Sequence, residues 1–151
     1  MKLKIYLVAL FTIFINLQLH SQDLNAGYYI NKNDEKTTVY FKNMSFKDPS
    51  LVKFKFNEDS DFQLLKVDDI IEFGIEGDSK FIKKKVNIDE SLNYESYSKD
   101  PIFISKVLFL NVIVEGPCNL YSHYDGDKTR FFYQIGEGTE IIQLIYKKFH
   151  L

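Results

Sequence analysis

The sequence predicts an all-β protein: an antiparallel sandwich, roll or small barrel of about eight to ten short strands, preceded by a signal-peptide helix. Three observations carry that expectation. Short runs of β-branched and aromatic residues recur along the chain, and Phe and Tyr must supply the core because there is no Trp. Gly, Asn, Asp and Pro punctuate those runs as turns require. Past the N-terminal segment no window holds a helical period over three turns, and no unit repeats at about 20–50 residues.

The clearest stretch is residues 106–135, KVLFLNVIVEGPCNLYSHYDGDKTRFFYQI. It reads as three strands in a meander, turning at Glu115-Gly116-Pro117 and again at Asp125-Gly126-Asp127. Upstream, Gly27-Tyr28-Tyr29-Ile30 and KTTVYFK (36–42) flank a polar turn and predict a hairpin. Lys47-Asp48-Pro49-Ser50 is a second turn, since proline cannot donate to a ladder. In residues 51–57, Lys53 and Lys55 alternate with Phe54 and Phe56, giving one wet and one dry face. Residues 58–61 are a charged turn, 62–67 a returning strand, and 67–71 hold one helical turn with aspartates near its start. Residues 72–76 and 80–88 then make a hairpin around Gly77-Asp78.

That second strand contains Lys83-Lys84-Lys85, which reads as a solvated edge strand rather than an anion site, because lysines discourage edge-to-edge pairing. Residues 89–101 are the longest polar stretch and predict a loop. Strands follow at 102–115, 118–124, 129–135 and 141–149.

The N-terminus is of another kind. Lys2 and Lys4 precede an apolar run over residues 5–17, and a polar tail ends at Ser21. That order is a secretory signal peptide, too short in its apolar run to span a bilayer. Cleavage after Ser21 leaves residues 22–151 as a single β domain, exported and not membrane-spanning. No cysteine lies near that site to take a lipid anchor. Cleavage removes two lysines and no acid, so the net charge moves from −2 to −4. An acidic exported chain has no bulk attraction for nucleic acid. With Cys118 as its sole cysteine, the fold is no disulfide framework.

Candidate chemistry is sparse. His123, Asp125 and Asp127 form H-x-D-x-D, yet the Asp-Gly-Asp turn accounts for both aspartates and no second ligand cluster accompanies them. His150 is next to the C-terminal residue. Cys118, between a turn proline and Leu120, is expected to be a small buried hydrophobe. Asp68, Asp69, Glu72 and Glu76 offer an acid/base pair for glycoside cleavage if a cleft gathers them, the alternative reading being a solvated turn and strand. Gly126-Asp127-Lys128-Thr129 lacks the upstream glycine of a phosphate loop, so no nucleotide is expected. Asn43-Met44-Ser45 fits a glycosylation sequon, which matters only in a eukaryotic secretory host. Tyr28, Tyr29, Tyr94, Tyr97, Tyr121, Tyr124 and Tyr133 offer a binding surface if exposed, and cap core edges otherwise. No residue is assigned a catalytic, cofactor-binding or metal-binding role, and no cofactor is expected.

As a set, Gly27-Tyr28-Tyr29-Ile30 after a signal peptide, IIEFGI (70–75), FIKKKVNID (81–89), FLNVIVEG (109–116), Asn119-Leu120-Tyr121 and Arg130-Phe131-Phe132-Tyr133 resemble a group of uncharacterised secreted proteins of flavobacterial-type Gram-negative bacteria. In that group a β-rich N-terminal module often precedes a further region, in some members similar to a porin-like outer-membrane β-barrel. The resemblance spans nearly the whole mature chain and implies no activity. It differs in length, since similar proteins usually continue past the position of Lys147-Lys148-Phe149. The expectation is a non-enzymatic structural or interaction module of the cell envelope, periplasmic or outer-membrane associated. Its partner would be an envelope protein or β-barrel met by strand addition. The alternative is a secreted hydrolase of envelope glycans using the carboxylates between residues 68 and 76.

Overall fold

The computed structural model describes residues 24–42, 52–91, 100–126 and 128–146. The expected signal segment, the sequon at Asn43, the turn at 47–50, Tyr94, Tyr97, Asp127, His150 and most of the polar stretch 89–101 lie outside them.

The described residues form ten strands: β1 (Leu24–Asn31), β2 (Lys36–Lys42), β3 (Lys53–Lys55), β4 (Gln63–Leu64), β5 (Ile70–Ile75), β6 (Ser79–Asp89), β7 (Phe103–Val114), β8 (Cys118–Tyr124), β9 (Thr129–Ile135) and β10 (Ile142–Leu144). The expected helical turn is a single 3-10 turn at Val67–Asp69. All ten strands belong to one antiparallel sheet in the order β10-β9-β8-β7-β6-β5-β1-β2-β3-β4. The all-β expectation holds, as one continuous open sheet. Every neighbouring pair but one is consecutive in sequence, and the exception is β5, which docks on β1 rather than on β4.

Local chemistry sets the hairpins. In the β1–β2 turn the Asn31 side-chain oxygen accepts from the N–H groups of Asn33 and Glu35, at 2.9 and 3.1 Å. Asp34 there takes φ 61°, the left-handed region that Asp tolerates better than most residues. In the centre, Gly27 and Gly74 let β1 and β5 approach. A Cβ on Gly27 would lie 2.3 Å from the Gly74 carbonyl oxygen and 2.7 Å from the Phe41 ring.

Two cores lie on opposite faces of the sheet. Directly paired residues share a face. Thus Phe73 opposite Phe81 marks one face, and Ile82 opposite Leu110 marks the other. The first core gathers Val39, Phe41, Val52, Phe54, Leu65, Ile70, Phe73, Phe81 and Phe109. Phe73 stacks on Phe81 with centroids 4.8 Å apart and meets Phe109 edge-on at 5.1 Å. The second gathers Val86, Ile88, Leu110, Tyr121, Phe132 and Ile141. Strands β6 and β7 therefore carry apolar residues on both faces, while the two halves of the sheet fold over opposite sides of them.

The lysine run corrects the sequence expectation. Strand β6 is interior to the sheet, paired with β7 from Phe81 to Asp89 and with β5 from Ser79 to Ile82. The ladder with β5 stops just before Lys83, so the three lysines occupy the part of an interior strand that overhangs its shorter neighbour. Lys83 reaches the Asp68 carbonyl oxygen of the 3-10 turn at 3.1 Å.

Candidate functional site

In the C-terminal half, period 2 sorts side chains in an inverted way. On β9, Arg130 and Phe132 point inward and are buried, whereas Phe131 and Ile135 point outward and are exposed. Pairing carries that outer face across the neighbours: Cys118 opposite Ile135, Leu120 opposite Tyr133, Ser122 opposite Phe131, then Ile142 opposite Tyr133 and Leu144 opposite Phe131. With Tyr124 and Thr129, these ten residues on β8, β9 and β10 include no charged side chain. Ile135 keeps 64% of its surface in water, Leu144 50% and Ile142 46%. An outer sheet face of this kind normally carries polar residues.

A bulge on β7 extends the face. Val112 pairs with Tyr121 on the inner side, the register then shifts, and Val114 pairs with Leu120 on the outer side. Without the extra residue Ile113, Val114 would share the inner face of Val112. The shift completes a cross-strand row Val114–Leu120–Tyr133–Ile142 over four strands.

The N-terminal half shows the ordinary arrangement on its side away from the core. Tyr28 donates to a Glu72 carboxylate oxygen at 2.7 Å, and Lys80 lies 2.8 Å from Glu115 and 3.9 Å from Glu72. Burial raises the Tyr28 phenol well above its usual range, and the Glu72 carboxylate adds to the effect. The hydrogen bond to Glu115 raises Lys80. These groups hold one another and leave no nucleophile beside a base.

A second polar cluster closes the mouth of the C-terminal roll. Arg130, 7% exposed, donates through Nε to Asp125 at 2.8 Å and through Nη1 to the main-chain carbonyl of Asp89 at 2.7 Å. The Asp89 carboxylate accepts from the N–H groups of Ser91 and Ile102, and its own N–H donates to Gln143 at 2.8 Å. Beside this cluster is a cleft of about 260 Å³ lined in part by Lys128, Leu144 and Tyr146. That volume falls short of the usual range of about 300–1,000 Å³ for small-molecule sites. Arginine is a permanent cation, so here it binds and orders rather than transferring protons.

The four carboxylates weighed for hydrolysis are not brought together. Asp69 pairs with Lys32 at 3.5 Å, Glu72 is held by Tyr28, and Glu76 lines a separate cleft with Lys80 and Glu115. Asp68 is exposed and offers its main-chain carbonyl to Lys83. His123 Nδ1 lies 3.1 Å from the Phe109 carbonyl oxygen, and Asp125 is committed to Arg130 and to the Lys128 N–H of its own turn. Cys118 is exposed, contrary to the buried placement expected of it, because the pleat turns it onto the outer face opposite Ile135. Of the tyrosines, Tyr121 is core and Tyr29 packs against the first core, whereas Tyr133 belongs to the outer face. Sequence reasoning missed that face; the alternation TRFFYQI held the signal, but which set of residues faced inward depended on pairing.

No family model, curated protein or solved structure matches the chain.

Proposed function

We propose that the chain is a non-enzymatic interaction module of the bacterial cell envelope, exported by its first 21 residues. It acts on the periplasmic side of the outer membrane by docking against another protein. One observation carries the reading: the outer face of β8, β9 and β10, extended by Val114, is apolar, exposed and free of charge. Contiguous apolar patches of a few hundred Å² mark contact sites on soluble proteins. The basic start and short apolar run of the N-terminus support export. The sheet edges are short, β4 with two residues and β10 with three, so docking by the face outweighs strand addition.

The test places a photocrosslinking residue at Phe131 in the native host and fractionates the cells. An adduct in the envelope fraction supports the reading. A chain that stays cytoplasmic and forms no adduct overturns it.

A further inference from the structure

We infer that the occupant of the outer face is a second copy of this chain, the two sheets stacking face to face about a two-fold axis. The inference rests on the reading of that face as a docking surface and names the partner. Three features favour self-association.

Charge comes first. In a symmetric pair every residue meets its own face, so a charged residue near the axis would oppose its twin. Here the ten outward residues of the three strands carry none. Sheet-on-sheet stacking asks for just such a dry, uncharged layer.

The rim is the second. Lys128 lies at the end of the face where β8 turns into β9, and Glu137 lies at the opposite end, where β9 turns into β10. A two-fold axis in the interface and perpendicular to the strands reverses their direction, bringing the Lys128 end of one copy over the Glu137 end of the other. The rims then meet with opposite signs.

Size is the third. Four strands about 4.8 Å apart and seven residues long at about 3.4 Å each span roughly 450 Å² per copy. Two such planes give roughly 900 Å² before side-chain relief is counted, near the lower end of the 1,200–2,000 Å² of stable interfaces. That size fits a dimer with a Kd of about 1 µM rather than about 1 nM.

Sedimentation of the full chain, purified as it accumulates, tests the proposal over about 0.1–100 µM. The expected result is a monomer–dimer equilibrium within that range. Ile142→Glu and Ile135→Glu should each weaken it at least about 100-fold, by burying a carboxylate against its twin. Leu64→Glu, exposed on β4 away from the face, should leave it unchanged. Thermal melts confirm that the variants fold. A monomer at the highest concentration overturns the proposal, as does a dimer that survives both face variants. Crosslinking from Phe131 in cells separates the two readings. A monomer that forms an adduct with a different envelope protein overturns self-association and leaves the docking face standing. A monomer that floats with phosphatidylethanolamine–phosphatidylglycerol vesicles assigns the face to lipid and overturns it. A monomer with neither property removes both readings.

Discussion

Arg130 on β9 reaches across the C-terminal roll to the main-chain carbonyl of Asp89 at the end of β6, at 2.7 Å. The two strands are separated in the sheet by β7 and β8, so this bond closes the roll instead of extending a ladder. The Gln143 side chain does the same from β10, accepting the Asp89 N–H at 2.8 Å, and Asn87 meets Glu140 at 3.1 Å. Side chains supply the seam that main-chain pairing leaves open.

Removing the guanidinium should therefore cost more than one hydrogen bond. Arg130→Met leaves the Asp125 carboxylate and the Asp89 carbonyl without their shared donor, and should destabilise the domain by about 2–4 kcal/mol. Arg130→Lys should recover little, because a single ammonium cannot fork between two acceptors as guanidinium does. Chemical denaturation of both variants measures the difference. An Arg130→Lys variant as stable as the native chain would show that charge alone suffices there.

Gly27 predicts a sharper steric failure. Its missing Cβ is replaced by the Gly74 carbonyl oxygen and the Phe41 ring, at 2.3 and 2.7 Å from where that carbon would sit. Gly27→Ala must move either a backbone or a fully buried ring, and overpacking of this kind costs about 1–3 kcal/mol. The melting temperature should fall, whereas Gly116→Ala, with open space around it, should leave it nearly unchanged.

The turns and most strands were legible from the sequence because they depend on neighbours: Asn31 organises its own hairpin, and Gly77 at φ 74° turns β5 into β6. Pairing between distant strands was not. Nothing local says that β5 leaves β4 and inserts beside β1, and that choice fixes which strands are interior. Hence the lysines at 83–85 read as an edge, although they overhang the shorter β5 within the sheet. The same dependence hid the outer face. In TRFFYQI both alternating sets contain a phenylalanine, and Phe132 faces inward because it is opposite Tyr121 in the second core.

Alkaline pH should loosen the N-terminal half. The folded state raises Tyr28 by burial and Lys80 by its hydrogen bond to Glu115, from ordinary values of 10.0 and 10.5. A group held protonated by folding contributes its full stability below the unfolded pKa, and that contribution is lost as pH rises toward the folded one. Stability should be flat with respect to these groups at neutral pH and should decline above about pH 10. Tyr28→Phe should be slightly less stable at neutral pH, losing the bond to Glu72, but its decline should be shallower. Melting temperature against pH measures both slopes. Parallel declines would remove Tyr28 from the account.

Deleting Ile113 tests the bulge as a device for aiming side chains. With the residue present, Val112 lies inward opposite Tyr121 and Val114 outward opposite Leu120. Without it the ladder keeps strict period 2, so Val114 either turns inward against the second core or β7 slips by one residue toward its turn. Both outcomes disturb the Glu115–Lys80 pair that follows. The deletion should destabilise the domain by about 1–3 kcal/mol and weaken contacts made through the outer face. Val114→Ser leaves the bulge in place and should weaken those contacts with little loss of stability, because Val114 is half exposed. Equal stability in the deletion and the native chain would mean that the register shift is incidental and that the apolar row does not depend on it.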